Sequence, residues 1–181
     1  MIHIQGGPFR VVYADPPWRW GDGRPKPRSL DIDRHYPTMP LEDICSIKIP
    51  VEKNAVLFLW ATAPKLEEAF FVVKAWGFKY KAMIVWDKGV DGRSTYGNYC
   101  AVNHELLLVC TRGSCTPDCK VLFDSVQSCA RSRHSEKPAF FRMMIDKLYP
   151  HGKRIELFVR GSLPEGWQGF GNEFVSAKEA A

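Results

Sequence analysis

Short apolar runs that alternate with helical patterns constrain this chain more than any other feature. "FRVVYA" (9–14), "AVLFLWAT" (55–62), "FKYKAMIVW" (78–86), "ELLLVCT" (105–111) and "RIELFVRG" (154–161) read as strands, rich in β-branched and aromatic residues. The run at 55–62 is apolar throughout, the signature of a strand covered on both faces. "PKLEEAFFVVKAW" (64–76) carries helical spacing, with Pro64 near its start and Gly77 just past its end, and so does "KPAFFRMMIDKLYP" (137–150). "TMPLEDICSI" (38–47) predicts another helix start, with Thr38 as its cap and Glu42 and Asp43 in the first turn. The tail segment "GWQGFGNEF" is too rich in glycine and aromatics for a regular element. Strands alternating with helices predict an α/β sheet with helices on both faces, and ligands of such sheets sit off the carboxyl ends of the strands.

A length of 181 residues with 45% hydrophobic content suits a single domain over 1–181. No apolar stretch is long enough to span a membrane, and "MIHIQGGPFR" lacks the pattern of a secretion signal. A cytoplasmic protein is the expectation. The six cysteines then read as free thiols. Cys110, Cys115 and Cys119, with Cys129 or His134, form a conceivable zinc knuckle, but the tight Cys-x-x-Cys pairs of such sites are missing, so no metal is assigned. The net charge of +5 fits a polyanionic partner. The basic residues gather in "RPKPR" (24–28) and in "RSRH" (131–134) ahead of Lys137, as phosphate contacts or as solvated loops.

The strand at 9–14 ends on "DPPW" (15–18). Proline disfavours helical geometry at the residue before it, and it fixes its own φ without offering an N–H. The carbonyls of Asp15 and Pro16 are therefore kept out of a helix ladder and can point into a pocket beside the Asp15 carboxylate, with Trp18 adding a flat face. Such a corner consists of acceptors backed by a ring. It suits a planar ligand bearing an –NH2, such as a nucleobase, and two acceptors on that amine's protons favour a pyramidal, more nucleophilic nitrogen. The same residues also describe a strand-ending turn with a core tryptophan. Residues 16–37 and 87–103 form long loops without periodicity, read as mobile segments around a substrate.

"DPPW" resembles the Asp/Asn/Ser-Pro-Pro-aromatic motif of S-adenosylmethionine-dependent amino methyltransferases. Its tryptophan form is typical of the MT-A-type family of N6-adenine methyltransferases. "HYPTM" (35–39), "LFLWAT" (57–62), "GFKYKAMIVWDK" (77–88), "NHELLLVCTRG" (103–113), "HSEKP" (134–138), "RIELFVRG" and "WQGFGNE" (167–173) resemble the family's other segments, in the family's order. The resemblance covers residues 9–173. It implies a Rossmann-like methyltransferase fold with a mostly parallel sheet and permuted motif order, the catalytic motif preceding the cofactor strand. It also implies S-adenosylmethionine as cofactor and methyl transfer to N6 of adenine.

By family and chemistry together, Asp15 and the Pro16 carbonyl hold the amine, while Pro17 and Trp18 shape the pocket or stack on the base. Tyr36 stacks on the base or closes over it. Lys137 meets the cofactor's carboxylate or a phosphate. Glu105 accepts from the base or orders the loops. Asp15, Lys137, Glu156, Arg160, Asn172 and Glu173 are the implied cofactor contacts. Strand alternation places Glu156 and Arg160 on one face as candidate partners. Larger relatives carry N-terminal extensions, whereas eight residues precede the first strand here. A bacterial or phage DNA enzyme is the first expectation, with RNA or cytosine N4 as alternative substrates. A non-catalytic nucleic-acid-binding partner of an active paralogue is the alternative of another class. A second copy or a helper subunit is the expected protein partner.

Overall fold

The computed structural model describes residues 2–19, 38–89, 99–130, 137–171 and 173–174. Its centre is the first apolar run, β1 (Phe9–Ala14), buried at five of its six positions. It is flanked on both sides by parallel strands. β2 (Val51–Ala61) sets Val56 beside Val11 and Leu59 beside Ala14, and β6 (Arg154–Leu157) sets Glu156 beside Tyr13. Every β2 residue from Ala55 to Ala61 is buried, which is why that run lacks polar alternation.

Outward from β2 come β4 (His104–Arg112), β3 (Lys79–Asp87) and the short β5 (Val126–Ser128). Beyond β6 lies β8 (Trp167–Phe170), giving the order β5-β3-β4-β2-β1-β6-β8. All strand pairs are parallel except those of β4, which runs antiparallel to both β2 and β3. The mixed, mostly parallel sheet is that of the Rossmann-like methyltransferase fold.

Helices cover both faces. α1 (Leu41–Ser46) and α2 (Leu66–Ala75) bury Ile44, Ala69, Val72 and Val73 against one face, in the cluster that holds Val12, Leu57 and Leu108. α3 (Ala139–Leu148) buries Phe141, Met144, Ile145 and Leu148 against the other, with Val11, Phe58 and Leu107. Neighbouring residues of one strand thus enter opposite cores, as the two-residue period of a strand requires. Among the described residues no helix is long and apolar enough to cross a membrane.

Three local expectations are corrected. α1 starts after Pro40, with no side-chain cap; Thr38 lies two residues too early to serve. The run 154–161 is not one strand: Phe158 takes φ 62°, the left-handed region that a bulky side chain rarely adopts, and the chain resumes as β7 (Arg160–Gly161). The tail is regular after all. β8 joins the main sheet, and β9 (Glu173–Phe174) pairs in parallel with β7. Its glycines are tolerated because the ladder bonds are backbone bonds, and Trp167 supplies the buried side chain.

Candidate active site

The reversed direction of β4 builds the site. The parallel strands β1, β2 and β3 end at one edge of the sheet, and an antiparallel β4 begins there. Asp15 follows β1, Lys88 follows β3, Glu105 is the second residue of β4, and Lys137 precedes α3. Four charged side chains from four places in the chain therefore converge. Lys137 Nζ donates to Asp15 Oδ2 at 2.7 Å and lies 3.1 Å from Glu105 Oε2, while Lys88 Nζ donates to Glu105 Oε1. Two carboxylates and two ammonium groups alternate, and their formal charges cancel. Among the described residues Asp15 Oδ1 accepts no hydrogen bond.

Burial alone would push the Lys137 ammonium down, but the nearby Asp15 and Glu105 carboxylates outweigh it and the group titrates above its ordinary value. Burial likewise would raise Glu105, and the attraction of Lys137 and Lys88 prevails, holding the carboxyl below its ordinary value. Charges this withdrawn from water persist only when paired.

The network rests on an aromatic floor. Lys137 Nζ stands 5.4 Å from the ring centre of Trp60, and Lys88 Nζ 5.0 Å from that of Trp86. Trp60 packs edge-on against Phe141 at 4.8 Å and against Trp86 at 6.0 Å, and its indole N–H donates to the Tyr13 hydroxyl at 2.7 Å. Burial drives the Tyr13 hydroxyl far above the usual phenol range, so it stays neutral and can accept that bond.

The DPPW corner is pinned from three sides. The Trp18 N–H donates to the Pro16 carbonyl at 2.8 Å, and the Met39 N–H to the Pro17 carbonyl at 2.8 Å. The Trp18 indole N–H reaches the Trp60 carbonyl at 3.3 Å. Trp18 is 6% exposed and belongs to the core on the α1 and α2 side. Its ring is a wall that fixes the corner and not a free stacking platform. The Pro16 carbonyl spends one lone pair inside the motif and keeps a second. Thr62, just past β2 on the same edge, has a buried hydroxyl without a partner among the described residues.

The break at Phe158 ends the strand alternation between positions 156 and 160, and the Arg142 guanidinium of α3 takes both Glu156 oxygens, at 2.9 Å and 3.1 Å. Burial raises the Glu156 carboxyl despite this partner. Arg160 and Glu173 are brought together by the backbone, as register partners of β7 and β9. Gly171 makes that arrangement possible: a Cβ there would lie 2.6 Å from the Val159 nitrogen and 2.8 Å from its oxygen. Tyr36, Asn172, His134, the basic segments 24–28 and 131–134, and most of the two long loops lie outside the described residues.

Sequence reasoning missed the roles of Lys88 and Arg142. The signal for Lys88 was a lysine two residues after a strand-ending tryptophan. For Arg142 it was a basic residue one turn into a largely apolar helix. Of the thiols named for a zinc knuckle, Cys110 packs in the core on the α1 and α2 side whereas Cys115 packs on the α3 side. Burial pushes the Cys110 thiol up to about 12, and those of Cys115 and Cys129 are raised for the same reason.

Comparison with known proteins gives a consistent picture. The MT-A70 family model matches residues 9–173. The Type II methyltransferase M.MunI of Mycoplasma sp is 30% identical over 189 residues, an alignment covering 94% of this chain and 79% of that protein. The human N(6)-adenosine-methyltransferase catalytic subunit METTL3 is 29% identical over 181 residues, covering 92% of this chain and 28% of the human protein. The N(6)-adenosine-methyltransferase MT-A70-like protein of Arabidopsis thaliana is 27% identical, covering 92% of this chain and 24% of its own length. The chain thus spans most of the bacterial relative and about a quarter of the plant one.

Proposed function

The chain belongs to the MT-A70 family, and from that premise we propose that it transfers a methyl group from S-adenosylmethionine to N6 of adenine in DNA. One observation carries the reading: Lys137 holds Asp15 through Oδ2, so that Oδ1 accepts no hydrogen bond among the described residues, and the next residue's carbonyl, that of Pro16, accepts one bond and retains a lone pair. Two acceptors on a rigid corner match the two protons of an exocyclic amine. Their orientation is set before the substrate arrives, so no reorganisation is required in the transition state.

When bound, S-adenosylmethionine supplies an electrophilic methyl group on a sulfonium. The residues fit such a ligand. Its amino-acid end carries one charge of each sign, and Asp15 and Lys137 present the opposite charges 2.7 Å apart at the sheet edge. Arg160 and Glu173, paired through β7 and β9, and the intervening Asn172 would hold the nucleoside end. Glu156, with both oxygens on Arg142, ties α3 to β6 and so supports that wall from behind.

Adenine N6 is a poor nucleophile because its lone pair is drawn into the ring. Asp15 Oδ1 and the Pro16 carbonyl pull the amine protons out of the ring plane and steady the positive charge that grows on nitrogen. The nitrogen becomes acidic as it gains the methyl group, so its proton departs to Asp15 or to water without a strong base. Tyr36 bounds the base, and Trp18 fixes the corner from within the core. Glu105 fixes Lys137. A base in a duplex must be flipped out to reach this corner. The basic segments 24–28 and 131–134 supply phosphate contacts, which would make binding salt-dependent.

The choice of DNA follows the bacterial relative, of which this chain covers the larger share. The test is reaction with isotopically labelled cofactor on matched DNA and RNA oligonucleotides, followed by digestion and mass spectrometry. The expected product is N6-methyladenine in DNA. Label in RNA alone would overturn the substrate. Label in neither, with no cofactor binding by calorimetry, would favour the non-catalytic partner.

A further inference from the structure

Lys88 joins the charge network on the side of Glu105 away from Lys137 and Asp15, and methyl transfer as derived gives it no role. Its side chain is only 9% exposed, its ammonium meets Glu105 Oε1 and the Trp86 face, and its backbone N–H donates to the Asn103 carbonyl at 2.9 Å. That last bond ties the exit of β3 to the entry of β4. A lysine serving solubility would leave its ammonium in water, since withdrawing it is costly. Here the Glu105 carboxylate offsets that cost.

That carboxylate has two oxygens with two different tasks. Oε1 is taken by Lys88, and Oε2 lies 3.1 Å from Lys137 Nζ. A side chain held at one oxygen cannot rotate freely, so the other oxygen is aimed. Lys137 therefore sits between two fixed acceptors, Asp15 Oδ2 on one side and Glu105 Oε2 on the other.

We propose that Lys88 is a positioning residue for methyl transfer: by anchoring Glu105 through Oε1 it aims Oε2 at Lys137, and so fixes Lys137 against Asp15 with Oδ1 turned to the substrate amine. The proposal rests on the functional reading above. Among the described residues the charged groups that face Glu105 are Lys88 after β3, Lys137 before α3 and, through Lys137, Asp15 after β1. Its own strand adds His104, which is paired across the ladder with Asp87. With Lys88 removed, Lys137 alone opposes the effect of burial, and the Glu105 carboxyl must rise from its lowered position.

Lys88→Met is expected to lower kcat roughly tenfold, as misplacement of a catalytic contact does, with a smaller change in KM. The acid limb of the kcat profile should move up by roughly one pH unit. In the ligand-free protein the Glu105 carboxyl, followed by carbon-13 NMR, should titrate at correspondingly higher pH. Lys88→Arg keeps a cation on Oε1 and should restore both. Lys88→Met in a Glu105→Gln background should add little, because the route through Glu105 is already cut. Should methionine disturb the fold, Lys88→Gln is expected to give the same limb shift. An unmoved acid limb and an unmoved Glu105 titration in an active protein, or fully additive losses in the double variant, would overturn the role of Lys88 alone. A wild-type protein inactive on DNA and RNA would overturn the functional reading and this role with it.

Discussion

Lys137 joins the two carboxylates of the site: Asp15, Glu105 and the Trp60 face surround one ammonium. Lys137→Ala should weaken S-adenosylmethionine binding about ten- to a hundredfold, the range for losing a charged hydrogen bond; titration calorimetry showing unchanged affinity would contradict it. The titration behaviour of the pair predicts how stability depends on pH. Glu105 is lowered from 4.5, so its contribution is present above that value and lost as pH falls through the lower, folded value. Lys137 is raised from 10.5, so its contribution is complete below that value and lost as pH rises through the higher, folded one. Glu105→Gln should therefore lower Tm most across the neutral range, and the gap to wild type should close as pH is taken below about 4. A constant gap down to about pH 2 would contradict the assignment. Asp15, Glu105 and Lys137 were legible in the sequence, because motif chemistry named them one by one. Their mutual contacts were not. Nothing in a linear pattern says that positions 15, 88, 105 and 137 meet, and that meeting depends on the direction of β4.

The strands and helices were readable wherever burial writes a pattern. The strand at Phe9–Ala14 was anticipated to the residue, and the long helices within a few residues. Reading failed where the backbone, not the side-chain pattern, decides. The reversal of β4 leaves no trace in composition, since a strand covered on both faces is apolar in either direction. The break at Phe158 is a left-handed residue inside a run whose side chains suit a strand, and it ends the alternation between positions 156 and 160. β8 was hidden by Gly169 and by the glycines on either side of the strand. Gly171 shows why one of them is there, since any side chain would strike the Val159 backbone. Gly171→Ala should destabilise the protein by about 1–3 kcal/mol, as overpacking does, and should weaken cofactor binding by separating β7 from β9. An unchanged denaturation midpoint would contradict this.

At the scale of the molecule, the sheet divides two cores and offers one chemically equipped edge. Ile44, Val72 and Leu108 lie on one face, and Phe141, Ile145 and Leu107 on the other. The edge between them collects the DPPW corner, the charge network and the β7–β9 pair. The α/β reading followed from the sequence, because strand and helix periods alternate over the length of the family match. Substrate choice was not legible, because the residues expected to meet phosphate lie in loops with no periodic constraint. The most direct measurement of the central claim is mass spectrometry of adenine-containing DNA after reaction with labelled cofactor, comparing the wild type with Asp15→Ala. The account predicts labelled N6-methyladenine from the wild type and a loss of roughly a thousandfold or more in the variant, with its far-ultraviolet circular dichroism unchanged. Equal labelling by the two proteins, or label on an atom other than N6, would contradict it.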